Sequence, residues 1–233
     1  MGFIGDVLSD AIDYVANSGS ELLEIVLLTL VVAGTATIVA AVIGVPTGVW
    51  LARARFRGRR MVLLIVNVGM GIPPVLAGLL VLILIWGEGP LGGLDLVFTP
   101  VAMVLVQTLL ALPIAIGVTM AAVSNLGFAF HEQLRAVGVA PLVRLRLVVT
   151  EARPGVLAAI SAAFGRVVSE VGAVLIVGGN IAGETRVLTT AIVQESRQAR
   201  FGAAVALGAV LLVISVVVNG VITWMQTGEA ADG

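Results

Sequence analysis

The sequence predicts an all-α integral membrane protein, a helical bundle with five transmembrane helices. Three observations lead there. Hydrophobic residues make up 59% of the 233 residues, charged residues 12%, and mean hydropathy is +1.14; a soluble domain carries roughly twice that share of charge. Five apolar runs are each long enough to cross a hydrocarbon core of about 30 Å. The arginines gather between particular runs instead of scattering along the chain. The same composition narrows function. With no cysteine there is no disulfide, thiolate metal site or cysteine nucleophile. The single His131 excludes multi-histidine metal sites, and a net charge of -1 gives no global pull toward nucleic acid.

Residues 1–20 lack the basic start and continuous apolar core of a signal peptide. Ile4, Val7, Leu8, Ala11 and Val15 fall on one helical face and Asp6, Asp10 and Asp13 on another, which predicts an interfacial helix. The spans follow at 25–52, 61–86, 100–124, 155–177 and 201–226. The first is long enough to need tilt or a kink, for which Pro46 is placed. Pro73 and Pro74 either break the second span beside a pathway or merely kink it. Gln107, alone in the third, is read as an interhelical hydrogen-bond partner. Trp50, Trp86 and Trp224 lie near span ends, as interfacial anchors do. Glycines inside the spans suit helices that pack closely.

Arg53, Arg55, Arg57, Arg59 and Arg60 crowd the turn after the first span, and Arg135, Arg144, Arg146 and Arg153 lie between the third and fourth. The positive-inside rule puts both groups in the cytoplasm, with the N-terminus outside and the C-terminus inside. No linker or internal repeat divides the chain, so residues 1–233 read as one transmembrane domain.

The cytoplasmic segment 125–154 holds His131-Glu132-Gln133-Leu134-Arg135-Ala136-Val137-Gly138-Val139-Ala140-Pro141. Glu132 to Val137 are good helix formers, Gly138 can take the left-handed conformation that stops a helix, and Pro141 suits the first turn of the next. The segment resembles the EAA loop of permease subunits of ATP-binding-cassette importers. Glu132 and Gly138 keep that family's spacing, while Gln133 and Leu134 replace the two alanines of the motif. Three further stretches carry the resemblance: Gly71-Ile72-Pro73-Pro74-Val75-Leu76, Gly89-Pro90-Leu91-Gly92, and Gly165 to Ala173 followed by Gly178 to Ile192. The wording Val177-Gly178-Gly179-Asn180-Ile181 and Leu188-Thr189-Thr190-Ala191-Ile192 is most similar to the tungstate branch, with molybdate and sulfate permeases as neighbours.

The resemblance implies a type I importer permease architecture and a homodimer with one pathway. It implies a cytoplasmic ATPase dimer docked through Glu132, Arg135 and Gly138, and an extracytoplasmic oxyanion-binding protein. It makes the chain non-catalytic and free of cofactors, with ATP and Mg on the partner ATPase; no Walker A pattern occurs here. Pro73, Pro74, Arg166, Glu170, Asn180, Arg186 and Thr189 are the pathway or gate candidates. Arg166 and Glu170 stand four apart on the fourth span. Ionised groups at that depth are costly, so they border the pathway or pair with each other to fix packing. The stretch from Asn180 to Thr190 contacts an anion or a binding protein, or is a structural re-entrant turn. A secondary carrier is the competing class, but carriers usually show more spans and inverted repeats. An intramembrane enzyme lacks support, with neither paired metal ligands nor a GxSxG elbow present.

Overall fold

A computed structural model describes residues 2–227, apart from the side chains of Phe128, Ala129, His131, Arg135 and Thr227. The described residues form eleven α-helices and one short 3-10 turn. In chain order these helices are α1 (Phe3–Asn17), α2 (Gly19–Arg53), α3 (Arg59–Met70), α4 (Pro74–Ile85), α5 (Pro100–Ser124), α6 (Phe128–Ala136), α7 (Pro141–Glu151), α8 (Arg153–Val168), α9 (Gly172–Gly178), α10 (Leu188–Arg197) and α11 (Phe201–Thr227).

Three of these, α2, α5 and α11, are single helices long and apolar enough to cross a membrane. Two bent pairs also pass that test, α3 with α4, bent by 105°, and α7 with α8, bent by 77°, which gives up to five spans if each pair counts as one. The expected span at 61–86 is therefore two helices. Gly71 ends α3, and Pro73, which has no N–H to continue a helix, precedes Pro74 at the first position of α4. The expected span at 155–177 is also interrupted. Helix α8 stops at Val168 and α9 starts at Gly172, so Arg166 and Glu170 do not share one continuous helical face. Pro46 and Pro113, by contrast, lie inside unbroken α2 and α5.

The residues group into two compact units, one of 1–36, 73–107 and 167–218, the other of 37–72, 108–166 and 219–233. In the second, glycines let α2 and α5 approach closely: a Cβ at Gly44 would lie 2.6 Å from the Ala115 Cβ, and one at Gly48 would lie 2.7 Å from the Ile116 carbonyl oxygen. Its cores gather Val49, Val123, Val148, Ala152 and Val156, and Leu51, Val66 and Ile116. In the first unit, Ile25, Leu188, Ala191 and Leu207 are buried together, with Tyr14 and Leu22 against them. Of residues 1–20, expected to form an interfacial helix, Phe3–Asn17 form α1. Ala11 is its buried residue, Phe3 meets Phe201 edge-on at 6.1 Å, and Ile4 and Leu8 stay exposed.

Candidate functional site

Two regions carry the residues singled out by sequence. The first is α6–α7, in the second unit. Helix α6 runs to Ala136, Gly138 has φ +67°, and Pro141 opens α7, as the helix formers and the glycine predict. An L side chain at that φ is strained. Leu134 and Phe130 of α6 and Leu145 and Val148 of α7 turn inward onto Val49 and Val123. That anchoring leaves Glu132 and Gln133 outward. It also leaves Val137 78% exposed and Leu142 80% exposed, an apolar surface on a polar turn. The Arg135 side chain lies outside the described residues. Arg144, one of the arginines that set the expected topology, donates from Nη2 to the Val139 carbonyl at 3.2 Å and fastens the turn between the helices.

The second region, in the first unit, is the chain from Val167 through the break in the fourth span, α9 and the loop after it. Gln107 is 4% exposed and donates from Nε2 to the Val167 carbonyl at 3.3 Å, just where α8 ends. This is the expected interhelical bond, and its partner is a backbone group exposed by the break. Glu170 is 6% exposed, and its Oε1 accepts the Ala173 N–H at 3.1 Å. The carboxylate thus caps the start of α9, where a negative charge meets the positive end of the peptide dipoles. Thr189 donates to the Glu170 carbonyl at 3.0 Å, tying α10 to the same break. Helix α4 packs on α9 with almost no room: a Cβ at Gly78 would lie 2.8 Å from the Ala173 Cα, and one at Gly172 would lie 2.8 Å from the Val75 Cγ2. Pro73 and Pro74 therefore launch the helix that supports the break.

After α9 the chain turns through two left-handed residues, Gly179 at φ +73° and Asn180 at φ +56°. The loop's hydroxyls are engaged internally. Thr185 is buried, donates to the Gly178 carbonyl and accepts the Ile181 N–H. Thr190 accepts the Val187 N–H at 3.1 Å. Asn180 donates from Nδ2 to Gln194. The Thr29 hydroxyl of α2 accepts the Leu188 N–H at 2.9 Å. Arg186 pairs with Glu21 at 3.3 Å beside a cavity of about 140 Å³ that Glu24 and Glu184 also line. The named side chains of the stretch from Asn180 to Thr190 thus bond to the protein itself, and Arg186 joins the stretch to α2. Sequence offered no signal for the roles of Thr29 or Glu21, because each depends on a partner far away in the chain.

Broken apolar helices, together with a polar helical turn that carries an exposed apolar surface, are features of a helical membrane protein. The chain matches the family described as binding-protein-dependent transport system inner membrane component over residues 44–228, and it belongs to that family. It is 41% identical over 203 residues to a probable anion ABC transporter permease protein of Haloferax volcanii, covering 85% of this chain and 88% of that one. It is 34% identical over 226 residues to a tungstate uptake system permease protein of Peptoclostridium acidaminophilum, covering 97% and 99%. The fold is similar to that of a chain in inward-facing structures of the MetNI methionine ABC transporter, with a TM-score of 0.72 at 20% identity over 90% of this chain and 96% of that one.

Proposed function

We propose that this chain is the permease subunit of an ATP-driven oxyanion importer and that its cargo is tungstate. The observation that carries the reading is the nearly end-to-end similarity to a tungstate uptake permease, 97% of this chain against 99% of that one. A second tungstate uptake permease, from Campylobacter jejuni, is 36% identical over 164 residues. Molybdate is the alternative cargo, favoured by a molybdenum transport permease of Azotobacter vinelandii at 31% identity over 173 residues.

In this reading two copies of the chain frame one pathway, and α6–α7 faces the cytoplasm. An ATPase dimer that holds ATP and Mg docks there through Glu132, Arg135 and Gly138. The internal rigidity of the turn, with Arg144 holding Val139, lets a push on Val137 and Leu142 reach the α2–α5 core. An extracytoplasmic oxyanion-binding protein delivers the cargo at the 180–190 loop. The break at Glu170 is the movable part of the gate, because its few polar bonds can exchange without unfolding a whole helix. Glu170 and Thr189 act there by shaping backbone, not by binding anion. Arg166, in the last turn of α8, supplies positive charge to the passing oxyanion.

The test is metal accumulation by the native cells with and without the chain, supplied in turn with tungstate, molybdate and sulfate. Loss of tungsten accumulation on deletion, restored by the intact gene, is the expected result. Unchanged tungsten with reduced molybdenum or sulfur would move the cargo to the alternative.

A further inference from the structure

The turn between α2 and α3 is a further built feature, outside α6–α7 and the fourth-span break. Arg53, Arg55, Arg57, Arg59 and Arg60 fall within eight residues, and the sequence contains no Asp or Glu between Glu24 and Glu88. Arg59 is committed to structure: its Nη2 donates to the Leu51 carbonyl at 3.2 Å and closes the end of α2. Arg55, Arg57 and Arg60 are exposed. Gly58, at φ +89°, turns the chain so that Arg55, Phe56, Gly58, Arg59 and Arg60 line a cavity of about 400 Å³. Beside it Trp50 and Phe56 stack at 5.1 Å, an aromatic pair of the kind that sits at headgroup level. Helix α3 continues from the cavity with an exposed apolar stripe, Met61, Leu64, Ile65 and Val68.

A basic cavity opening onto an apolar stripe fits an amphiphile. Local sequence supplies no counter-charge for the guanidinium groups, and at the membrane boundary the abundant anion is a lipid phosphate. We infer that the α2–α3 turn binds the phosphate headgroup of an anionic phospholipid, with Arg55, Arg57 and Arg60 on the phosphate and the acyl chains along Met61, Leu64 and Ile65. Guanidinium forks match phosphate oxygens in pairs. This site does not depend on the cargo or on the ATPase.

The experiment reconstitutes the full chain in vesicles of phosphatidylglycerol and phosphatidylcholine with the same acyl chains, extracts it, and weighs the retained lipids by native mass spectrometry. The intact chain is expected to enrich phosphatidylglycerol at least about tenfold over phosphatidylcholine. Each of Arg55→Gln, Arg57→Gln and Arg60→Gln should lower that enrichment by about fivefold at low salt. Arg197→Gln, on α10, should leave it unchanged. Equal retention of both lipids by the intact chain overturns the site without reference to any variant. So does full enrichment in the triple variant. Displacement of phosphatidylglycerol by free glycerol phosphate would assign the cavity to a soluble phosphate instead. Loss of co-purifying ATPase from the triple variant with lipid enrichment intact would assign the arginines to a protein partner.

Discussion

At the scale of single residues, Glu170 acts on backbone. Glu170 caps α9 through the Ala173 N–H. Glu170→Gln keeps an acceptor and should fold almost as well as the parent. Glu170→Met leaves that N–H without its partner in an apolar setting and should lose about 1–3 kcal/mol. Thermal unfolding of the purified chain in detergent compares them, and equal melting temperatures would remove the capping role. Gly138 makes a different case, because its cost is conformational. Gly138→Val forces a β-branched side chain into φ +67°. With Glu132→Lys it should leave cargo-dependent ATP hydrolysis at least about tenfold lower in a reconstituted complex. Normal coupling in that double variant would sink the docking role of α6–α7. These two positions show what residue-level reading of sequence can reach. Gly138 was legible because a left-handed turn residue leaves a chemical signature. The cap at Glu170 was not, because nothing in Ser169-Glu170-Val171 announces that a hydrophobic run will stop, and the expected partner four residues earlier sits on a helix that ends at Val168.

At the scale of elements, fit between α4 and α9 holds the break. Gly78→Leu places a branched side chain where a Cβ alone already lies 2.8 Å from Ala173 Cα. It should destabilise the chain by about 1–3 kcal/mol and abolish uptake, while Gly93→Leu, where nothing lies within 4 Å, should do neither. Wild-type melting and uptake in Gly78→Leu would show that α4 and α9 do not need this contact. Helix α1 offers a pH handle through Tyr14, the chain's only tyrosine. Burial, then the nearby Glu21 and Glu195, push its hydroxyl above the ordinary value of 10.0. The neutral ring is the form the fold prefers, so this contribution is complete below pH 10.0 and disappears as pH rises through the raised value. Ultraviolet titration of tyrosinate should find a midpoint above that of the unfolded chain, and Glu21→Gln should bring it down. Identical midpoints would mean that Tyr14 is not packed against α2. Helices were legible wherever apolar length alone decides, as in α2, α5 and α11. The Pro73–Pro74 pair was read as a break or a kink and is a break, but the break between Val168 and Gly172 was not legible, because hydropathy averages across it.

At the scale of the whole molecule, arginine placement predicts the direction in which the chain threads the membrane. A reporter fused after Gln226 should behave as cytoplasmic and one inserted near Gly92 as extracytoplasmic. The reverse pattern would put α6–α7 on the side without ATP and would end the ATPase-docking proposal. The class of protein was legible from composition, the arginine clusters and the Glu132–Gly138 spacing together. The latch of Arg186 on Glu21 was not, since 165 residues separate the two in the chain.

The outward face of α6–α7 has a further consequence for the life of the protein in a cell. Val137, Leu142 and Val143, at 78%, 80% and 50% exposure, resemble half of a contact. A subunit made in excess of its partners would display that half-contact continuously, and membrane quality control reads such displays as a degradation signal. Copy number would then be set after translation, by the supply of ATPase. A pulse-chase in cells making this chain alone should show a half-life several times shorter than in cells also making the ATPase. Val137→Ser with Leu142→Ser should lengthen the lone chain's half-life even though it weakens assembly. Turnover that ignores both the partner and these two side chains would mean that the exposed patch has no part in stoichiometry.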